Sequence, residues 1–253
     1  MSPTRCATLD DVVNGLAALE QRFGREHDRR AIFATLYGIV SAEIRERVAA
    51  GFFHDNAWVH RYAVTFANLY FHALECDDAG RSAEVPKAWR LCFDAARLDR
   101  GLVLQHMLLG INAHVNNDLP LALATITIDP DRDARYRDHS AVNGVLSAVT
   151  ERATERISAL YAPGLRQLDD GAGALDEVLS LFSLDVARES AWEGAVSLTN
   201  ARNDGERRLV TTLIGSRAAV LARLLRSPSL APSLVDVCVR LEQGVPLNAL
   251  FRV

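Results

Sequence analysis

Apolar residues recur at helical spacing along almost the whole chain, and this periodicity constrains the fold more than any other feature. Thr8 and Asp11 resemble a capping box at the start of a first helix, whose inward positions include Leu9, Val12 and Leu16. No stretch keeps the alternation of a strand long enough to build a sheet. Connections between the helical stretches are short. We therefore expect an all-α protein, a single bundle of roughly nine to ten helices in one domain spanning residues 1–253.

Capping residues and helix breakers predict several helix boundaries. Asp55 can cap a third helix that runs to about Glu75. The fifth helix is expected to start at Leu102 and break at Pro120, because proline lacks the N–H that a helix interior needs. Asp138 is a candidate cap for the next helix, which would end near Tyr161. Later helices are predicted around 174–203, 205–226 and 230–242.

Composition argues against several classes of function. The net charge of −4 gives no electrostatic reason to bind nucleic acid or an anionic membrane. The longest apolar run, Leu119–Ile128, is about half the ~20 residues that a membrane span needs. The N-terminal residues lack the apolar core of a signal peptide, so we expect a cytoplasmic protein. The sequence leaves the oligomeric state open.

Lysine and cysteine usage narrows the chemistry further. Lys87 is the only lysine and follows no glycine-rich turn, which argues against a phosphate-binding loop. The four cysteines are scattered without a CxxC pair, so buried free thiols are expected rather than a zinc knot or a redox dithiol.

The fifth helix carries most of the polar chemistry, in the run from Asn112 to Pro120. Between Gly101 and Pro120 the only formal charge is Asp118. A helix this poor in charge is expected to be central, so its polar side chains must find partners inside the protein or line a cavity.

Helical geometry sorts that run into two faces. With ~100° per residue, His114 and Asp118 fall near one another, and Asn112 and Asn116 gather on a different side with Gln105. The two faces need not serve one site. Gly110 lies on the histidine face, where it would let a ligand or a neighbouring helix approach closely.

The pair His114 and Asp118 supports three interpretations. An i,i+4 carboxylate can orient an imidazole as a general base or acid, with Asn112 and Asn116 donating hydrogen bonds to a developing oxyanion. Alternatively, His114 and Asp118 could hold zinc or iron, with His106 as a further ligand. In the third interpretation the same residues form a buried polar network that only fixes helices together, and Asn117, His106 and Gln105 fit this role best.

The third helix carries a second polar stripe. His60, Val64, Asn68, His72 and Glu75 share one face, opposite an apolar face that includes Trp58, Tyr62 and Phe66. This pattern is typical of an amphipathic surface helix. If this stripe packed against the fifth helix, its histidines could complete a metal site.

The string Leu109-Gly-Ile-Asn-Ala-His-Val-Asn-Asn-Asp-Leu-Pro-Leu-Ala122 resembles the signature of the domain-of-unknown-function 5995 family of mostly actinobacterial proteins. Further stretches fit the same family: Phe66-Ala-Asn-Leu-Tyr70, Val142-Asn-Gly-Val-Leu146 and Ala187-Arg-Glu-Ser-Ala-Trp192. The resemblance implies a helical fold but no established reaction. It carries over Asn112, His114, Asn116 and Asp118, with Asn143, Arg188 and Trp192 as companions, whereas His106, His60 and His72 do not belong to it.

These observations lead to one main expectation and two alternatives. We expect a cofactor-free small-molecule enzyme with His114, Asp118, Asn112 and Asn116 as catalytic residues, suited to cyclisation, isomerisation, dehydration or hydrolysis, in specialised metabolism if the family context holds. A hydrophobic substrate would suit an apolar cavity, with contacts from Asn143, Arg188, Trp192, Asn68 and Tyr37. The alternatives are a metal-dependent hydrolase or oxidase that uses zinc or iron, and a non-catalytic ligand-binding protein.

Overall fold

A computed structural model describes residues 5–98, 101–161 and 184–226, and these residues form helices without a strand. The elements in chain order are α1 (Leu9–Arg25), α2 (Arg30–Ala49), α3 (Asn56–Asp78), α4 (Lys87–Arg97), α5 (Val103–Asn112), a π-helical segment (Ala113–Asp118), α6 (Leu119–Ile126), α7 (Arg132–Tyr161), α8 (Leu184–Thr199) and α9 (Asp204–Arg226). The all-α prediction is confirmed. Taking α5 to α6 as one rod, the described part has eight helices, slightly fewer than expected; the helix predicted at 230–242 lies outside it.

Local chemistry explains where the first and third helices begin. The Thr8 hydroxyl accepts the Asp11 N–H at 3.1 Å, and the Asp11 carboxylate accepts the Thr8 N–H at 2.9 Å, so the predicted capping box is present. Asp55 accepts the Trp58 N–H at 2.8 Å and caps α3 as predicted.

Two predicted boundaries are wrong. The fifth helix does not break at Pro120, because the wide turn of the π-helical segment lets the chain continue into α6 with Pro120 in its first turn. Asp138 does not start a helix, since α7 already begins at Arg132. Its buried carboxylate instead accepts the N–H groups of His54 and Asp55, each at 2.8 Å, and ties α7 to the segment that enters α3.

The rod formed by α5, the π-helical segment and α6 is the centre of the bundle. Every residue from His106 to Pro120 is buried. The π-helical segment contacts α3, α4, α8 and α9, whereas α1 packs on α2 and α2 packs on α7. This arrangement confirms that the helix poorest in charge is central, and it places the polar run inside the protein.

The amphipathic character predicted for α3 is confirmed. His72 and Glu75 are exposed, whereas Trp58 and Tyr62 on the other face are buried. Cys6, Cys76 and Cys92 are buried free thiols, as expected, and Cys238 lies outside the described residues. None of the helices in the described ranges is both long and apolar enough to cross a membrane.

Candidate functional site

The centre of the candidate site is a π-helical turn within the central rod. The Leu119 N–H donates to the His114 carbonyl five residues earlier, rather than to the carbonyl four residues earlier. Pro120 has no N–H for the Asn116 carbonyl, and its ring would crowd that carbonyl in a regular α-helix. The wide turn relieves this conflict and sets the directions of the polar side chains around it.

His114 and Asp118 form the predicted pair. The Nδ1 atom of His114 lies 3.0 Å from Oδ2 of Asp118, and both side chains are almost fully buried. Two further donors bind the same carboxylate: Nε1 of Trp89 on α4 lies 2.8 Å from Oδ2, and Nδ2 of Asn117 lies 2.8 Å from Oδ1. The carboxylate is therefore held from three sides and fixes the orientation of the imidazole.

The hydrogen-bond pattern determines which nitrogen of His114 carries the proton. Trp89 and Asn117 both donate to Asp118, and a carboxylate only accepts, so Nδ1 of His114 is the donor in the third contact. Burial lowers the pKa of His114, and the hydrogen bond and charge of Asp118 offset this effect only in part. The ring is thus neutral at pH 7, with a lone pair on Nε2, and Nε2 is buried without any hydrogen-bond partner.

Aromatic rings surround the imidazole. Phe66 of α3 stacks on His114, with ring centroids 3.5 Å apart and planes inclined by 7°, and Tyr37 of α2 makes an edge contact at 4.5 Å. Phe33 lies at 5.7 Å. It packs directly on the backbone of Gly110, where an added Cβ would come within 2.4 Å of the phenylalanine ring. The absence of a side chain at Gly110 therefore lets the neighbouring helix α2 approach closely. Close approach of a neighbouring helix or of a ligand was the prediction for this position.

His114 lines a cavity of about 380 Å³ between α1, α2, α3, α7, the central rod and the start of α8. This volume is near the lower end of the range for small-molecule sites. Its walls are mostly apolar, with Phe33, Tyr37, Phe66, Val115 and Leu146 among them. Asp118 is not a lining residue, so the imidazole stands between the buried carboxylate and the cavity.

A second polar group, around Arg188 of α8, lines the same cavity. The Arg188 Nε donates to Oδ1 of Asn143, and its Nη1 lies 3.4 Å from the hydroxyl of Tyr62. Nη2 of Arg188 donates to the backbone carbonyl of His139, and the His139 ring lies between this arginine and Trp192. Burial and the charge of Arg188 hold the pKa of His139 well below its usual range, so this ring is neutral too.

The amide face of the rod points away from the cavity. Asn112 donates to the carbonyl of Ala218 on α9 at 2.9 Å, and its own side-chain oxygen accepts from Asn116 at 3.1 Å. Neither asparagine lines the cavity. The structure therefore does not bring these two amides to His114, and their hydrogen bonds join the rod to α9.

The remaining predicted residues are dispersed. Tyr37 and Asn143 line the cavity, and buried Trp192 lies behind His139 without lining it. Asn68 is occupied by the chain itself, since it accepts the Cys6 N–H at 2.8 Å and donates to the Cys6 carbonyl at 2.9 Å. His106 is buried two turns before His114 and does not line the cavity.

The arrangement offers limited support for a metal at His114. Nε2 could bind a cation with Asp118 behind it, which is a common arrangement of outer-shell carboxylates. Within the described ranges, however, the one group of three potential ligands that converge is His72 and Cys76 of α3 with Glu84 from the loop that follows it. The thiol of Cys76 there already receives a hydrogen bond from Arg81 at 3.4 Å.

Several important partners could not be identified from the sequence. Trp89 and Phe66 contact the His–Asp pair from α4 and α3, and their apolar patterns resemble those of ordinary core residues. His139 had a detectable signal, because Asn143 follows it by four residues, the spacing of His114 and Asp118.

Fold and site together define an all-helical protein with a buried histidine–aspartate pair at the wall of an apolar cavity. The chain belongs to the Family of unknown function (DUF5995), whose sequence profile matches residues 9–228. This match confirms the resemblance seen in the sequence. None of the curated proteins and none of the solved structures matches the chain.

Proposed function

We propose that this protein is a small-molecule enzyme in which His114 transfers a proton and Asp118 positions it. The observation that carries the proposal is the state of the imidazole. Its Nδ1 is bound to a buried carboxylate, and its Nε2 is buried without a partner in a side chain that lines a cavity. An unsatisfied buried nitrogen is costly in a purely structural role, whereas a substrate proton would satisfy it.

The surroundings suit a general base. A neutral imidazole already has a free lone pair at pH 7, and its lowered pKa keeps it deprotonated. The aromatic rings packed on the imidazole bury it, so bulk water does not compete for Nε2. Once the ring accepts a proton, the adjacent Asp118 carboxylate stabilises the resulting imidazolium.

The reaction class that fits best is proton transfer on an apolar molecule, as in isomerisation, elimination or cyclisation. Acyl hydrolysis normally uses preorganised donors for an oxyanion. Asn112 and Asn116 were the predicted donors, but their amide groups are engaged with each other and with Ala218. The proposed reaction needs no cofactor, and a cytoplasmic metabolite is the expected substrate.

A second candidate is a non-catalytic binding protein for apolar ligands. The mostly apolar lining of the cavity favours it, because burial alone could hold such a ligand while Nε2 accepts one hydrogen bond. The two functions differ in whether the bound molecule changes.

Deuterium exchange separates them. The protein is incubated in D₂O buffer with a library of apolar small molecules that fit the cavity, and mass spectrometry records deuterium uptake and changes in composition. We expect at least one compound to be processed, and His114→Gln to process it on the order of 10²–10⁴-fold more slowly. Thermal-shift assays should show that the variant still binds the compound.

The matched control is His54→Gln, which removes an exposed imidazole that does not line the cavity. It should behave as wild type. If His114→Gln processes the compound at the wild-type rate, His114 is not the base. If the wild type binds library compounds and changes none of them, the protein is a binding protein.

A further inference from the structure

The environment of Arg188 bears on the kind of molecule that occupies the cavity. This arginine is 4% exposed and lines the cavity wall. Its described partners are all neutral: the Asn143 side-chain oxygen, the Tyr62 hydroxyl, and the backbone carbonyl and ring of His139. No described aspartate or glutamate forms an ion pair with it, and Asp185, the one acidic residue among the described residues of the cavity wall, is exposed.

Arg30, an arginine that is only partly exposed, shows how this chain compensates such a charge. Arg30, whose side chain is 12% exposed, forms ion pairs with Asp28, Asp77 and Asp78. Burying a guanidinium without a counter-charge is unfavourable, because neutral hydrogen bonds replace only part of its hydration. Arg188 therefore differs from Arg30 because no carboxylate among the described residues pairs with it, and it lies at a cavity wall.

The free hydrogen-bonding capacity at this position is also informative. A guanidinium has five N–H groups, and the described partners leave one N–H of Nη1 unused. The hydroxyl of Tyr62 accepts from Nη1, so its own proton is available. One N–H and one O–H side by side match the two oxygens of a carboxylate, and a single cation matches a single negative charge.

We propose that the ligand of the cavity is a hydrophobic monocarboxylate whose carboxylate binds Arg188 and Tyr62. The rings of Tyr62 and Phe66 line the wall between this anion site and His114, with the two centroids 6.2 Å apart and Phe66 stacked on the imidazole. The apolar body of the ligand lies along these rings, and its reactive position lies beside the imidazole of His114. This inference rests on the proposed function for the site and adds the class of substrate.

Isothermal titration calorimetry with three eight-carbon probes tests the inference: octanoate, 1-octanol and octylamine. The wild type should bind octanoate about tenfold or more tightly than 1-octanol, and octylamine most weakly. Arg188→Gln should bind octanoate and 1-octanol about equally. Arg208→Gln removes an exposed arginine outside the cavity and should keep the wild-type preference.

Tyr62→Phe keeps the test decisive if Arg188→Gln fails to fold, which circular dichroism would reveal. This variant removes one donor and one oxygen, so it should weaken octanoate binding severalfold and leave 1-octanol binding unchanged. The inference is overturned if wild type does not bind octanoate, if it binds 1-octanol or octylamine as tightly, or if folded Arg188→Gln keeps the preference for octanoate.

The same titration in His114→Gln separates the ligand class from the chemistry. The preference for octanoate should persist there, because Arg188 and Tyr62 are intact. If wild type shows no preference for octanoate, the carboxylate site is refuted and the proton transfer is not. If wild type changes no library compound, the proton transfer is refuted and the carboxylate site is not.

Discussion

The two polar faces of the central rod both carry buried polar side chains, but they differ in how completely these side chains are hydrogen-bonded. On the amide face, Asn112 and Asn116 bond to each other and to the Ala218 carbonyl of α9. On the imidazole face, Asp118 is saturated by three donors, whereas Nε2 of His114 has no partner. A buried polar group on such a helix indicates a site only where its hydrogen bonding is incomplete. Complete bonding indicates a connection between helices.

The π-helical turn lets one rod serve both purposes. A regular α-helix could not place Pro120 here without disturbing the Asn116 carbonyl. With the wide turn, the rod continues past the proline, the amides reach α9, and the imidazole stays against α2 and α3.

The largest expected difference between the faces is in activity. Asp118→Asn replaces an acceptor that holds three donors with a side chain that also donates, so the His114 ring loses its fixed orientation. We expect the deuterium-exchange rate to fall by on the order of 10²–10⁴-fold. Asn116→Ala, on the other face, should leave the rate within about threefold of wild type.

The pH profile of exchange distinguishes positioning from simple destabilisation. Asp118 raises the pKa of His114 through its hydrogen bond and its charge. Its removal should therefore move the acidic limb of the rate profile to lower pH. An unchanged limb together with a lower rate would contradict a direct role for Asp118 at the imidazole.

The next largest effect concerns the packing behind the imidazole. Gly110→Ala places a methyl group 2.4 Å from the ring of Phe33, which itself packs near His114. We expect the variant to lose about 3 kcal/mol of unfolding free energy by urea denaturation. Gly144→Ala is the matched control, because an added Cβ there meets nothing within 4 Å. Helix propensity alone would make both variants slightly more stable, since alanine favours a helix over glycine. A Gly110→Ala variant as stable as Gly144→Ala would therefore contradict the Phe33 clash.

The amide face should respond in stability alone. Asn112→Ala leaves the Ala218 carbonyl and the Asn116 amide without their partner, and we expect a loss of about 2 kcal/mol in unfolding free energy. Asn116→Ala should cost less, because the bond from Asn112 to Ala218 remains. Octanoate affinity should not change in either variant. A loss of affinity in Asn112→Ala would mean that the two faces are coupled.

The sequence predicted this comparison only in part. The separation of His114 and Asp118 from Asn112 and Asn116 follows from helical periodicity, which a single wide turn perturbs only locally. The central position of the rod follows from its lack of charge. Both features are local properties of one segment.

The features that could not be predicted depend on other segments. The hydrogen-bond partner of Asn112 comes from α9, and the rings that surround Nε2 of His114 come from α2 and α3. Helical periodicity within one segment does not show how these other helices pack against it. Asp138 shows the same limit, because an aspartate near a helix start resembles a cap in sequence. Its carboxylate instead accepts the backbone N–H groups of His54 and Asp55, which lie more than 80 residues earlier in the chain. Asn68 was expected at the substrate and instead binds the backbone of Cys6.

The smallest predicted difference between the faces is in the pH dependence of stability. Because burial lowers the pKa of folded His114 below 6.5, the unfolded chain binds more protons near and below that pH. The stability present above pH 6.5 is therefore lost as the pH falls towards the folded pKa, by up to about 1.4 kcal/mol per pH unit for one group. His114→Gln should flatten the pH dependence of the unfolding free energy, measured by urea denaturation between pH 7.5 and 5.5.

Asn112→Ala is the matched comparison for this measurement, because an amide does not titrate. It should lower stability by the same amount at every pH and keep the wild-type slope. Burial and the charge of Arg188 also lower the pKa of His139. Its contribution to the pH dependence is the same in both variants, so it does not affect the comparison. If the unfolding free energies of His114→Gln and wild type change with pH in parallel, the imidazole is already solvated in the folded protein. The proposed base depends on a buried imidazole, so this result would contradict it.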